Sequence, residues 1–165
     1  MSDVSIRAAR TDDGEALGRL GASLMRAHYA FDERRFLAPG AHAESGYASF
    51  LGTQLSSADS LVLVAERAAG ERPVAVIGYV YAGIEPLSWK ELRGEAGFIH
   101  DLLVSDEARA LGVGQRLLDA AVAWLRERGM PRVMLWAAAP NAGAQRLFER
   151  NGFRPTMIEM TRDLD

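Results

Sequence analysis

The stretch "EAGFIHDLLVSDEARALGVGQRLLDAAVAWLRERG" (95–129) restricts the fold more than any other part of the chain. It runs from an apolar strand pattern (95–104) through a short polar loop, past an arginine and two glycines, into an apolar-periodic run. In that run Leu117, Ala121, Trp124 and Leu125 form one stripe, widened by Leu118 and Val122, as on an amphipathic helix. Gly129 follows as a C-terminal cap. Inside a helix, glycine costs roughly 1 kcal/mol relative to alanine, so Gly112 and Gly114 at the helix mouth call for a reason. One reason is an anion. A helix N-terminus exposes unpaired N–H groups and about half a positive charge. With no Cβ at Gly112 and Gly114, the amides of Gly112, Val113, Gly114 and Gln115 are open to a diphosphate, with Arg109 at its edge. The other reason is packing: the glycines would only let the helix sit closely on the strand. Two familiar phosphate loops are excluded. Gly114 is followed by Gln115 rather than Lys and Ser or Thr, and Leu117 stands where a dinucleotide loop needs its third glycine.

The rest of the chain supplies partners for this unit. "VSIRAA" (4–9) reads as a short strand, and Thr11 and Asp12 as N-caps of a helix over about 12–30. A charged connection (31–40) leads to a second helix over about 42–56, with Tyr47, Phe50 and Leu51 on one face. Residues 60–84 read as a hairpin of strands 60–67 and 74–84, turning at Gly70–Pro73, followed by an irregular loop over 85–94. After the glycine-led helix come a buried strand (132–139), a short helix (141–152) and one or two terminal strands (153–164). The order β-α-α-β-β-β-α-β-α-β predicts a single α/β domain over 1–165: a mixed, mostly antiparallel sheet with helices on both faces.

Charge and composition narrow the function. A net charge of −3 gives no general basic surface, so neither nucleic acid nor an anionic membrane is an expected partner. No apolar run approaches the ~20 residues of a membrane helix, and "MSDVSIRAAR" carries no apolar signal core. Cysteine is absent, which excludes disulfides, thiolate metal sites and a cysteine nucleophile and fits a reducing, cytoplasmic setting. No metal is expected.

What remains at 109–114 is R-x-x-G-x-G after "FIHDLLV". Here the chain resembles the GCN5-related N-acetyltransferases, whose signature is [RQ]-x-x-G-x-[GA] between a fourth strand and a third helix. "HDLLVSDEARALGVGQRLL" matches that segment along its length. "NAGAQRLFERNGF" matches the family's later helix, opened by Asn141 and ended by Gly152 and Phe153. The specific likeness covers about 95–155; residues 1–94 agree in element order only.

The resemblance implies acetyl-CoA as co-substrate, bound in a cleft where the fourth and fifth strands splay apart. It implies that the backbone of Leu103 and Val104 pairs with the pantetheine arm. Arg109, Gly112, Val113, Gly114 and Gln115 would then surround the pyrophosphate, Asn141 would reach the pantetheine, and Arg146 would either approach the nucleotide end or be a solvated helix charge. It also implies an amine acceptor, a small molecule or a peptide, held by His28–Phe36 and the 85–95 loop. Many relatives dimerise, which adds a homodimer to the expectations.

An alkylamine of pKa ~10 is mostly protonated at neutral pH, so transfer needs a base. His100 is the candidate, on the strand expected to carry the thioester. Simple alternation puts Phe98, His100 and Leu102 on one face of that strand and Ile99, Asp101 and Leu103 on the other, with Asp101 in a structural role. Where many relatives have a tyrosine able to return a proton to the CoA thiolate, this chain has Phe148. Tyr29, Tyr79, Tyr81 or water would have to substitute. Phe148 also motivates a second reading: a CoA-binding regulatory module without efficient transfer.

Overall fold

The computed structural model describes residues 4–69 and 72–164. Five strands form one sheet in the order β1 (Val4–Ala8), β2 (Ser60–Ala69), β3 (Arg72–Glu85), β4 (Ala96–Val104) and β5 (Val133–Leu135). Neighbours are antiparallel except β4 and β5, which run parallel. Helices α1 (Gly14–Phe31) and α2 (Ala43–Gln54) cover one face; α3 (Val113–Glu127) and α4 (Ala142–Arg150) cover the other. Each face has its own apolar core. Leu17, Leu20 and Leu51 meet Val62, Val64 and Tyr79 on the first. Leu117, Leu118, Ala121 and Leu125 meet Ile77, Val80, Ala82 and Ile99 on the second. The 3.6-residue stripe read in α3 is therefore its buried side.

Capping at the first helix differs from expectation. Neither Thr11 nor Asp12 caps it. A 3-10 turn over Thr11–Asp13 precedes α1, and Asp13, only 7% exposed, accepts from the Arg10 amide at 2.7 Å. Its carboxylate also holds Arg7 through two bonds of 2.7 and 2.8 Å, and Arg7 continues to Glu66 on β2. The Arg7 guanidinium keeps the Asp13 carboxyl below its ordinary range. A charged pair across β1 outcompetes the exposed capping candidates because burial makes its hydrogen bonds obligatory.

The expected strand over 132–139 shrinks to Val133–Leu135, which is half-buried, and Trp136 is exposed. Parallel pairing runs Gly97↔Val133, Phe98↔Met134 and Ile99↔Leu135, and then stops. The turn read at 70–73 falls in part on residues 70 and 71, outside the described residues. The terminal strands read over 153–164 are absent among the described residues. Phe153 packs edge-on against Phe148. Beyond it the chain is held by side chains instead of a ladder: Glu159 pairs with Arg35, and Asp163 with Arg34 at 3.0 Å. Met157, Ile158 and Met160 face outward. An alternating apolar pattern makes a strand only where a sheet edge is within reach, and β5 presents an edge of three residues.

Candidate functional site

The alternation read along β4 breaks at His100. Tyr81 pairs with Asp101 and Ala82 with Ile99, so His100 is the extra residue of a β-bulge. Beyond it the faces exchange. Ile99, Leu102 and Val104 pack toward α3, whereas Phe98, His100, Asp101 and Leu103 lie with Tyr79 and Tyr81 on the α1–α2 face. Leu102 thus leaves the His100 face that alternation assigned to it, and Asp101 and Leu103 join that face. A bulge inserts one unpaired residue, and nothing in a run of side-chain types announces it.

The bulge sets His100 in defined company. Its ring stacks on Tyr81, with centroids 4.7 Å apart, and on Phe98 at 5.7 Å. Its Nε2 lies 3.0 Å from Oε1 of Glu85, at the end of β3. Asp101 is turned inward: its Oδ2 accepts from Tyr47 at 2.6 Å and from Tyr79 at 2.9 Å. Burial raises the Asp101 carboxyl above its ordinary value, against the lowering effect of the two hydroxyls. Burial also pushes both tyrosines up, with the neighbouring Asp101 charge adding to it. The partners of Asp101 are tyrosine hydroxyls. Tyr79 is fully buried and committed to Asp101, and the Tyr81 hydroxyl donates to Gln54 at 3.1 Å. With their acidity reduced by burial, neither is a ready proton donor. Phe148 is buried in the α3–α4 core.

The pairing of β4 with β5 ends at Ile99, so residues 101–104 keep β3 on one side and have no strand partner on the other among the described residues. Leu103 and Val104 lie on this open stretch, paired on their closed side with Tyr79 and Gly78. The loop after Val104 leads to the mouth of α3. Gly112 is its N-cap, with φ +72°, and no side chain caps the helix. The first amides of α3, from Val113 to Gln115, have no intrahelical acceptor by construction. A Cβ on Gly112 would meet nothing within 4 Å, and one on Gly114 only ordinary contacts with Leu147 and Val104 at 3.6 and 3.7 Å. Close packing of helix on strand therefore requires neither glycine. Gly112 answers to its left-handed backbone.

The remaining expected binding residues fall around this mouth with unequal freedom. Arg109 is exposed and pairs with Asp106 at 2.6 Å. The Gln115 side chain is occupied: it exchanges hydrogen bonds with Asn151 at 2.6 and 2.9 Å, tying α3 to the end of α4. Asn141 caps α4, its Oδ1 accepting from the Ala144 amide at 3.2 Å. Arg146 lies exposed on α4. On the acceptor side, Arg93 clamps the 86–94 loop by donating to Glu91 and to the carbonyls of Pro86 and Gly94, and its guanidinium lies over Phe98. Sequence reasoning missed Glu85 as the partner of His100, and missed Tyr47, Phe50 and Trp136 as neighbours of that centre. They lie on elements whose mutual placement no local pattern encodes.

The family model described as Acetyltransferase (GNAT) family matches residues 22–153. The chain belongs to this family. It is an N-acetyltransferase. It is 30% identical over 152 residues to the uncharacterized N-acetyltransferase YhfO of Bacillus subtilis, covering 91% of this chain and 89% of that one. Among solved structures, a mutant of the BH1408 protein from Bacillus halodurans superposes with a TM-score of 0.79 at 22% identity, over 97% of this chain and 99% of that one. The aminoglycoside N-acetyltransferase AAC(6')-Iy in complex with CoA superposes with a TM-score of 0.73 at 17% identity, over 99% and 96%.

Proposed function

We propose that this N-acetyltransferase moves the acetyl group of acetyl-CoA onto a primary amine, with His100 as the base. The observation that carries this reading is the juxtaposition of three features: the β4 edge released after Ile99, the uncapped mouth of α3 at Gly112, and the bulged His100 beside Glu85. The donor set fits a diphosphate-bearing thioester. The amides of Gly112, Val113, Gly114 and Gln115 and the nearby Arg109 suit the pyrophosphate. The outward-facing backbone of Val104, next to Leu103 on the edge that β5 leaves unpaired, suits an amide-containing arm added like a strand. Asn141 keeps its amide NH₂ for that arm while its oxygen caps α4, and Arg146 is available to the nucleotide end. When bound, acetyl-CoA supplies an activated acyl carbon.

The chain's own groups handle the proton. With Nε2–H donating to Glu85, the neutral imidazole keeps Nδ1 as acceptor for a proton of the amine, directly or through a water. The amine nitrogen forms the new N–C bond, the C–S bond breaks, and the electron pair leaves on sulfur. A thiolate of pKa ~8.5 is a workable leaving group, so water can return the proton that Phe148 cannot.

Phe148 also favours a second reading, a CoA-binding regulator with little turnover. Thermal shift with CoA tests binding, and thiol release over an amine panel separates enzyme from regulator. The outward-facing Met157, Ile158 and Met160 support a homodimer, which light scattering after size exclusion tests directly.

A further inference from the structure

Five ring contacts run unbroken across α2, β3 and β4 to Trp136, just past the end of β5. Tyr47 meets Phe50 at 5.9 Å, Phe50 meets Tyr81 at 5.7 Å, Tyr81 meets His100 at 4.7 Å, His100 meets Phe98 at 5.7 Å, and Phe98 meets Trp136 at 5.8 Å. This run is not a sealed core cluster: Phe98 is only 4% exposed, but Phe50 is 45% and Trp136 77% exposed, and the His100 side chain between them is 28% exposed. Exposed aromatic rings beside an acid–base group form a binding surface, here an aromatic wall.

From this wall we infer that the acceptor is an alkylamine carried on an aromatic or branched apolar body, bearing neither phosphate nor carboxylate. The inference rests on the acetyltransferase reading above and adds the class of its second substrate.

Polar atoms of the wall point the same way. The Tyr47 hydroxyl is committed to Asp101 and the Tyr81 hydroxyl to Gln54, so the rings, and not their hydroxyls, are left to a ligand. A polyhydroxylated amine would find few partners here and would lose its own hydration. Charge discriminates further. Glu85, beside His100, and the ring faces attract an ammonium group. The Arg93 guanidinium, which lies over Phe98, is bonded to Glu91, so an anionic acceptor would have to compete for it.

The test compares thiol release from acetyl-CoA with phenethylamine, isoamylamine, ethylamine, glucosamine 6-phosphate and phenylalanine. Phenylalanine has the same ring body plus a carboxylate. Phenethylamine is expected to exceed ethylamine, glucosamine 6-phosphate and phenylalanine by about 10-fold or more in kcat/KM, the scale of apolar-pocket discrimination. Phe50→Ala and Trp136→Ala, at the two exposed rings of the wall, are each expected to lower the phenethylamine-to-ethylamine ratio by about 10-fold. Preference for either anionic acceptor, or a ratio unmoved by both variants, overturns the inference. Calorimetry with CoA keeps the two readings apart. Absence of CoA binding removes the acetyltransferase reading itself, whereas CoA binding without arylalkyl preference removes only the acceptor class. Should no amine turn over, saturation-transfer NMR of phenethylamine on the CoA-loaded protein decides: transfer to its ring that Phe50→Ala abolishes supports the wall, and no transfer overturns it.

Discussion

Nε2 of His100 lies 3.0 Å from Oε1 of Glu85, joining a bulge residue of β4 to the last residue of β3. The contact fixes which ring nitrogen is left to accept a proton. Replacing Glu85 by Gln keeps a hydrogen-bond partner but removes the charge that stabilises the imidazolium. His100→Ala is expected to lower kcat at neutral pH by about 100-fold, the low end of general-base effects, and Glu85→Gln by less. Calorimetric CoA affinity should stay near wild type for both. Normal turnover in His100→Ala would remove the base assignment.

Gly114 separates ligand binding from packing. An alanine there meets only ordinary contacts at 3.6 and 3.7 Å, and alanine favours a helix over glycine by up to ~1 kcal/mol. Gly114→Ala is expected to melt at the wild-type temperature or slightly above it while weakening CoA binding by about 10-fold, as a methyl intrudes between amide and phosphate. Destabilisation with unchanged CoA affinity would instead mark the glycine as a packing device.

The Arg7–Asp13 pair predicts an acid limb of stability. The folded pKa of Asp13 is depressed by Arg7. Its contribution is therefore complete above the unfolded carboxylate value of ~3.9 and fades as pH falls through the folded value. Asp13→Asn should cost about 2 kcal/mol at pH 7, as for charge-assisted hydrogen bonds lost from a partly buried pair. In urea titrations the gap between variant and wild type should narrow at pH 3; a gap independent of pH would refute the linkage.

Gly21 on α1 sits under the Tyr47 ring, where an added Cβ would lie 2.0 Å from Cδ1. Gly21→Ala should therefore destabilise by about 2 kcal/mol through overpacking, despite alanine's better helix propensity. Tyr47 is the ring that binds Asp101 and begins the aromatic wall. Near-ultraviolet circular dichroism should change along with the melting temperature, and a stabilised variant would contradict the contact.

Much of the molecule was legible in the chain because its signals are local. The α3 stripe, the strand run before it, the R-x-x-G-x-G spacing and the Asn141-led helix each depend on residues within a few positions of one another, and all appear where expected. Element order through α4 followed from the same periodicities. Other features depend on what distant segments meet. The bulge at His100 arises from register against β3, Glu85 and the aromatic wall from the docking of α2 and the end of β5, and the short β5 from divergence of two strands after Ile99. The 153–164 segment has a strand-like pattern but no described edge to join, since backbone hydrogen bonds need a partner that pattern alone cannot supply. By itself the sequence determined the elements and the bare helix mouth, through short-range sterics and periodicity. Only tertiary structure decided which side chains surround His100, because those contacts are long-range and set by packing.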